Sequence, residues 1–382
     1  MIIIIYWIAF FSIIAVYIGY PITIFIISKV YRVHINKGDI TPMLSVIISA
    51  HNEENVIEKK INNTLGIDYP KEKFEVIVVS DGSTDMTNDI LSRYSKRIKT
   101  VEIAENRGKT NAINQAMEVA SGEIVVFTDA NVRLAKDAVR KLVANFVDPS
   151  VGCVCGQSTY SNPDESETAG SHSLYWRYEN FLKYYESQTG SMCVADGAIF
   201  GIRRSLYTPL AVEDIDDFAT SMLILSKGYR VILDPRSKAF EKSAILLSEE
   251  LRRRRRISNR LFSTYRRIRH ELHHMAWFDK YKFFFHRLLR WYTFLLLMSI
   301  LMLNVALMAR GPIYTVLFAF QVIFYFLFFI GLMLGRKVRL PKWIFIPYFF
   351  VIMNYTQLMG IVDSLRGIRY ITWQSPHTTR KF

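Results

Sequence analysis

Several short stretches of this sequence put carboxylates, oxygen donors or cations close enough to act together. Asp129-Ala130-Asn131 sets two oxygen donors on alternate residues. Hard oxygens suit Mg²⁺ or Mn²⁺, ions that commonly also hold substrate phosphates. An Asx-turn closing a strand explains the same residues and, taken alone, is the commoner outcome. Asp81-Gly82-Ser83-Thr84-Asp85 reads either as hydrogen bonding to a nucleoside or as a glycine turn into a helix cap. Asn106-Arg107-Gly108-Lys109-Thr110 opens a helix with two cations, an arrangement that can hold an anion. It is no P-loop, because Ile103 stands where the upstream glycine is required. There is also no GxGxxG fingerprint. Glu213-Asp214-Ile215-Asp216-Asp217 crowds acids ahead of an apolar stretch. Crowded carboxylates raise one another's pKa, which favours a proton acceptor near neutral pH. A solvated charge run is the bland alternative.

Elements must position these groups. Leu44–Ser49, Phe74–Val79, Thr100–Ile103, Glu123–Thr128 and Val151–Val154 read as short β-rich strands. Helical stretches separate several of them: Asn55–Asn63, Thr87–Lys96 and Thr110–Ala120. That alternation implies an α/β domain over residues 43–245 with a mostly parallel sheet, covered on both faces. In such sheets ligands bind beyond the carboxyl ends of the strands. Ala50-His51-Asn52-Glu53-Glu54, Asp81 and Asp129-Ala130-Asn131 all fall at such ends.

The flanks are different. Residues 1–28 carry no charged side chain, and Lys29, Arg32 and Lys37 follow at once. A transmembrane helix with the next domain in the cytoplasm is expected. Trp291–Ala309 and Ile313–Leu334 read as two further spans within a C-terminal region, 291–362. Arg336, Lys337, Arg339 and Lys342 after them again fit the cytoplasmic side. Residues 343–362 are apolar but hold Pro347, Asn354 and Gln357. If they span, the tail 363–382, with Arg366, Arg369, Arg380 and Lys381, lies outside against the charge rule. A re-entrant or interfacial segment that keeps the tail inside fits better. Residues 246–290, with Arg252–Arg256, Arg260, Arg266, Arg267 and Arg269 and interleaved aromatics, read as basic amphipathic helices on anionic lipid.

The 382 residues carry 48 Lys and Arg against 34 Asp and Glu, a formal charge of +14. This points to an anionic partner or to the positive-inside bias of a membrane protein. With 51% hydrophobic and 14% aromatic residues, intrinsic disorder is excluded. Cys153, Cys155 and Cys193 form neither a disulfide framework nor a zinc ribbon, and fit a reducing compartment.

Taken together, the motifs resemble the inverting family 2 glycosyltransferases of the GT-A fold, over residues 43–260 and in that family's order. Ser45–Glu54 resembles the opening strand, Val79–Asp85 the nucleotide motif and Asn106–Lys109 the donor loop. Phe127–Asn131 resembles the metal motif, Gly197–Arg204 the acceptor-side segment, and Ile215–Asp217 ahead of Gly228–Arg230 the catalytic base. With flanking spans, the chain is similar to membrane-embedded exopolysaccharide, cellulose and hyaluronan-type synthases. The resemblance implies a nucleotide-sugar donor, a uridine diphosphate sugar, at Ala50, Asn52, Glu53, Asp81, Gly108, Lys109 and Asp129. It implies Mg²⁺ or Mn²⁺ at Asp129 and Asn131, an acceptor beside Asp196, Gly197 and Ala198, and catalysis by Asp217 and Asp216 with Arg256 facing the diphosphate. The acceptor it implies is a glycan or a lipid-linked molecule, in glycan assembly at the cytoplasmic membrane. Two departures stand out. Asn131 replaces a second aspartate, and Arg253-Arg-Arg-Arg-Ile257 stands where many processive synthases have Gln-x-x-Arg-Trp.

Other readings compete. Transfer to a polyprenyl phosphate keeps the chemistry and changes the acceptor. His270-Glu271-Leu272-His273-His274 matches HExxH and, on a helix, would put His270 and His274 on one face as in a zinc protease. The arginine-rich segment with its aromatics would also suit nucleic acid. The adjacent spans explain that segment better, and no nucleic-acid partner is expected.

Overall fold

The computed structural model describes residues 1–162, 164–335, 340–372 and 379. Arg336, Lys337, Arg339, Arg380 and Lys381 lie outside the described residues.

Helix α1 (Ile2–Val30) is apolar throughout and passes through one π-turn at Ala15–Gly19. The α/β domain follows. Its strands are β1 (Leu44–Ala50), β2 (Phe74–Asp81), β3 (Lys99–Ile103), β4 (Ile124–Asp129), β5 (Arg133–Leu134), β6 (Val151–Tyr160), β7 (Phe200–Arg203) and β8 (Arg230–Glu241). They form one sheet in the order β3-β2-β1-β4-β7-β6-β8-β5. Helices α2 (Ile57–Leu65), α3 (Thr87–Ser92), α4 (Lys109–Val119), α5 (Ala138–Val143), α6 (Glu167–Gln188) and α7 (Asp216–Ser226) connect them.

Side chains alternate between the two faces of the sheet, as a strand requires. Ile47, Ile77, Val79, Val125 and Phe127 point to the face covered by α4 and α7, where Ala112, Ala116 and Phe218 are buried. Val46, Ile124 and Val126 pack the opposite way against Val139 and Leu142 of α5. Each fully buried side chain of this kind contributes about 1.5–3 kcal/mol.

The sheet is mixed. β3, β2, β1 and β4 run parallel, as expected, and β6 pairs with β8 in parallel. β7 runs antiparallel between β4 and β6. Its reversal has a consequence for chemistry. Phe127 pairs with Phe200, so the residues just before β7 lie beside the carboxyl end of β4. A parallel strand would have delivered its following loop there instead.

Beyond the sheet, α8 (Leu247–Ile268) carries the arginine row. α9 (Trp277–Phe283, continued by Phe284–Leu288 and Leu289–Trp291) leads to α10 (Thr293–Leu307) and α11 (Pro312–Leu334). α12 (Lys342–Leu365) is one unbroken helix through Pro347, not a re-entrant hairpin. It lies along α8. Ile344, Phe345 and Tyr348 cluster with Leu247 at the start of α8. Near its other end, Arg255 donates to Asp363 at 2.8 Å and the Ser263 and Ser364 hydroxyls meet at 2.7 Å. Among the described residues, four helices, α1, α10 with its last turn, α11 and α12, are long and apolar enough to cross a membrane.

The His270–His274 segment is a 3₁₀ turn over Glu271–His274, so His270 and His274 do not share an α-helical face. The zinc-protease geometry is not formed.

Candidate active site

The carboxyl end of β4 and the start of α7 meet across one cavity of about 280 Å³. Lys109, Asp129, Asn131, Asp196, Gly197, Ala198, Asp216, Asp217 and Arg256 all line it. Lys109 opens α4 and spans the carboxylates, 2.7 Å from Asp129 and 3.1 Å from Asp216. Burial alone would lower its pKa, but Asp129, Asp216 and Asp217 outweigh that and hold it above the ordinary lysine value. Gly197 sits at the focus. A methyl group there would lie 3.2 Å from Asp217 Oδ2, 3.5 Å from Lys109 Nζ and 3.9 Å from Asp129 Oδ2.

Asp217 stands in the first turn of α7 and accepts its own helix's Phe218 amide at 2.7 Å. The helix N-terminus favours a charged carboxylate. Burial and the neighbouring Asp216 win against that and against Lys109, and with Asp196 they push Asp217 up to about 7. The loop carrying it is clamped from two sides. Thr110 of α4 donates to the Asp214 carbonyl at 2.7 Å, and the Ile215 amide donates to Thr264 of α8 at 3.1 Å. Arg260 donates to the carbonyls of Glu213 and Asp214, and Arg267 pairs with the buried Asp214 carboxylate. The acidic run is therefore a fixed loop, not a solvated one.

Asp129 and Asn131 offer a carboxylate and an amide oxygen on one turn. That set fits Mg²⁺ or Mn²⁺ when a diphosphate supplies the remaining oxygens. The turn is held from behind by Lys60, whose ammonium donates to Thr128 Oγ1 at 2.8 Å and to the Val132 carbonyl at 2.7 Å. Thr128 in turn donates to the Ala198 carbonyl at 2.8 Å, tying the turn to the segment before β7. Burial drops the Lys60 pKa to about 7 against the pull of Asp129.

The remaining expected donor residues lie apart from this cavity. Ala50, Glu53 and Asp81 are fully buried. Asp81 accepts the Arg107 amide at 2.9 Å and the Gly108 amide at 2.7 Å, so its carboxylate is spent on bracing the donor loop. The Gly108 amide is thus engaged within the protein. Its φ of +92° and the Ile371 carbonyl, 2.6 Å from where a Cβ would stand, both demand glycine. Asn52, also at positive φ, is exposed and accepts the Thr84 amide at 2.8 Å.

The sequence reading missed Lys60, Tyr160, Trp176, Glu241 and Arg260. Lys60 had a signal: it lies on the buried stripe of α2 with Ile57, Ile61 and Thr64, where a lysine needs a reason. Tyr160, Trp176 and Glu241 had none, since only the fold brings them to the cavity. Of the arginine row, the sequence points only Arg256 toward the diphosphate, yet Arg253, Arg254 and Arg260 line the cavity with it.

Residues 45–209 match the family model described as glycosyl transferase family 2. The chain carries a family 2 glycosyltransferase domain. A poly-beta-1,6-N-acetyl-D-glucosamine synthase of Staphylococcus aureus is 28% identical over 199 residues, 50% of this chain and 48% of that protein. A probable glycosyltransferase, YdaM, of Bacillus subtilis is 27% identical over 220 residues, 53% of this chain and 51% of that one. The chain thus spans about half the length of these curated relatives. A mannosyltransferase, PcManGT, of Pyrobaculum calidifontis, solved with GDP-Man and Mn²⁺, superposes with a TM-score of 0.68 at 23% identity. The likeness covers 94% of this chain and 99% of that one and shows the GT-A-like fold. The family match stops at residue 209, short of the Asp214–Asp217 loop.

Proposed function

We propose that this chain is a membrane-integrated glycosyltransferase that moves a sugar from a nucleotide-diphosphate sugar, a uridine diphosphate sugar, to a hydroxyl acceptor with inversion. The observation that carries the reading is the Asp217 carboxyl, held near pH 7 and facing the Lys109–Asp129 pair across Gly197. Asp217 takes the proton of the acceptor hydroxyl as that oxygen attacks the anomeric carbon. Lys109 and Arg256 stand against the departing diphosphate. Mg²⁺ or Mn²⁺ at Asp129 and Asn131 would add positive charge where the leaving group gains negative charge. Attack and departure on opposite faces invert the anomeric centre. The relatives' names support polysaccharide assembly as the setting.

The domain faces the cytoplasm in this reading, because Lys29, Arg32 and Lys37 follow α1. α12 is interfacial. It rests along its length on α8, whose arginine row excludes α8 from the hydrocarbon.

Nucleotide diphosphate release from the detergent-purified chain tests the reading, with a panel of nucleotide sugars, Mg²⁺ or Mn²⁺, and glycan and lipid acceptors. Metal-dependent release with one donor, lost in Asp217→Asn, is expected. A folded Asp217→Asn protein with near-normal transfer overturns it.

A further inference from the structure

The cavity continues past Asp217 along α6, and Lys183, Arg254 and Arg287 line it there beside Tyr175 and Trp176. Lys183 is only 2% exposed. Its ammonium lies 5.0 Å from the centre of the Trp176 ring and pairs with no carboxylate or carbonyl among the described residues. The indole is itself fixed, its Nε1 donating to Ser158 Oγ at 2.8 Å. Arg254 of α8 lies over the neighbouring Tyr175 ring, 5.1 Å from its centre, and its buried Nε finds no acceptor. Arg287 of α9 also has a buried Nε without an acceptor, although another of its nitrogens reaches Glu179 at 3.3 Å. Each orphaned donor costs about 1–3 kcal/mol. A cation–π contact returns about 2 kcal/mol of the larger penalty for taking an ammonium out of water.

The acids of the cavity do not answer these cations. Glu179 is already paired with Arg290 at 2.5 Å as well as with Arg287. Glu250 pairs with Arg253 at 3.3 Å, and Asp129 and Asp216 pair with Lys109. Asp196 accepts from Ser158. Burial raises the pKa of both Asp217 and Glu241 and favours their uncharged forms. An anion from outside the chain supplies what is missing. An arginine stacked on an aromatic ring keeps the edge of its guanidinium free for two oxygens of a phosphate. The place also has a level. Arg290 donates to the Tyr175 hydroxyl at 3.1 Å and lies over the Tyr17 ring of α1, 5.7 Å from its centre, just before α10 begins. Tyr175 and Arg254 therefore stand where two apolar helices meet polar surroundings, at the depth of lipid headgroups.

We infer that Lys183, Arg254 and Arg287 form a second anion site, separate from the diphosphate position at Lys109 and Arg256, for a phosphate carried by a lipid. The separation rests on the transferase reading above, whereas the unanswered cations do not. A bilayer phospholipid and a lipid-borne substrate present the same phosphate chemistry, and the probes below tell them apart.

Calorimetry on the full-length chain in a neutral detergent tests this. The probes are UDP, inorganic phosphate, farnesyl phosphate, phosphatidylglycerol and phosphatidylcholine. Farnesyl phosphate or phosphatidylglycerol is expected to saturate the chain whether or not UDP is bound, and whichever binds names the source. Arg254→Gln weakens that lipid about tenfold or more and leaves UDP affinity unchanged. Lys183→Met weakens it likewise and raises the melting temperature of the lipid-free chain, because a buried unanswered charge is gone. A structural lysine would lower that temperature instead. Saturation by inorganic phosphate as tight as by lipid, or by neither anionic lipid, overturns the site. So does displacement of the lipid by UDP, or a fall of UDP affinity in both variants. A Lys183→Met chain that melts lower and keeps its lipid affinity overturns it too. If an anionic lipid binds and UDP does not, the anion site stands and the transferase reading fails.

Discussion

At the scale of single residues, the decisive balance is at Asp217. A helix N-terminus and a nearby lysine both favour its ionised form, yet burial and two neighbouring aspartates outweigh them. A base acts when deprotonated, so kcat/KM is expected to rise as pH increases through about 7 and then level off. A pH profile of the wild-type chain checks this, and a profile flat from pH 5 to 9 would remove Asp217 as the base. Gly197 offers a second test. Its backbone carries no positive φ, so Gly197→Ala should fold. The added methyl would stand among Asp217, Lys109 and Asp129 and displace the reacting groups. A fall in kcat of about a hundredfold is expected, read beside an unchanged melting temperature.

At the scale of elements, the catalytic loops are held by helices packed outside the sheet's parallel core. α2 contributes Lys60, which bridges both ends of the Asp129–Asn131 turn. Lys60→Met leaves the buried Thr128 hydroxyl and Val132 carbonyl short of a donor, at about 1–3 kcal/mol. The expected outcome is a lower denaturation midpoint together with a raised KM for the donor. A variant that loses stability but keeps its donor KM would make Lys60 structural only. α8 does the same for the acidic loop, through Thr264, Arg260 and Arg267. Its arginine row therefore serves the cleft on one face, whatever its outer face meets. The antiparallel β7 is the third device, since it turns residues 196–198 back to the end of β4.

At the scale of the whole molecule, the apolar helices differ in what they pack against. Among the described residues, length and composition admit four as spans. α12 is the most buried of the four: it lies on α8 at both ends, and its Tyr348 also packs against Leu327 and Phe328 of α11. Cysteine labelling with an impermeant maleimide distinguishes the arrangements, the native cysteines being buried. Arg310→Cys should label in intact cells, and Arg366→Cys only once the cytoplasmic side is opened. Labelling of Arg366→Cys from outside would make α12 a span.

The amino-acid sequence by itself determined the parallel core strands, the apolar flanks and the order of the chemical motifs. These follow from local pattern: period-two burial, uncharged runs, and acids or amides where strands end. It also singled out Asp129, Asn131, Lys109 and Asp217, which the fold brings to one cavity. Only the tertiary structure decided that Asp81 braces the donor loop, that Arg253, Arg254 and Arg260 join Arg256 at the cavity, and that Trp176 and Glu241 reach it. Those outcomes depend on contacts between residues far apart in the chain, such as Trp176 with Ser158 and Arg260 with Asp214. No local spacing encodes them. They exist because β7 reverses and α8 folds back over the sheet's catalytic edge.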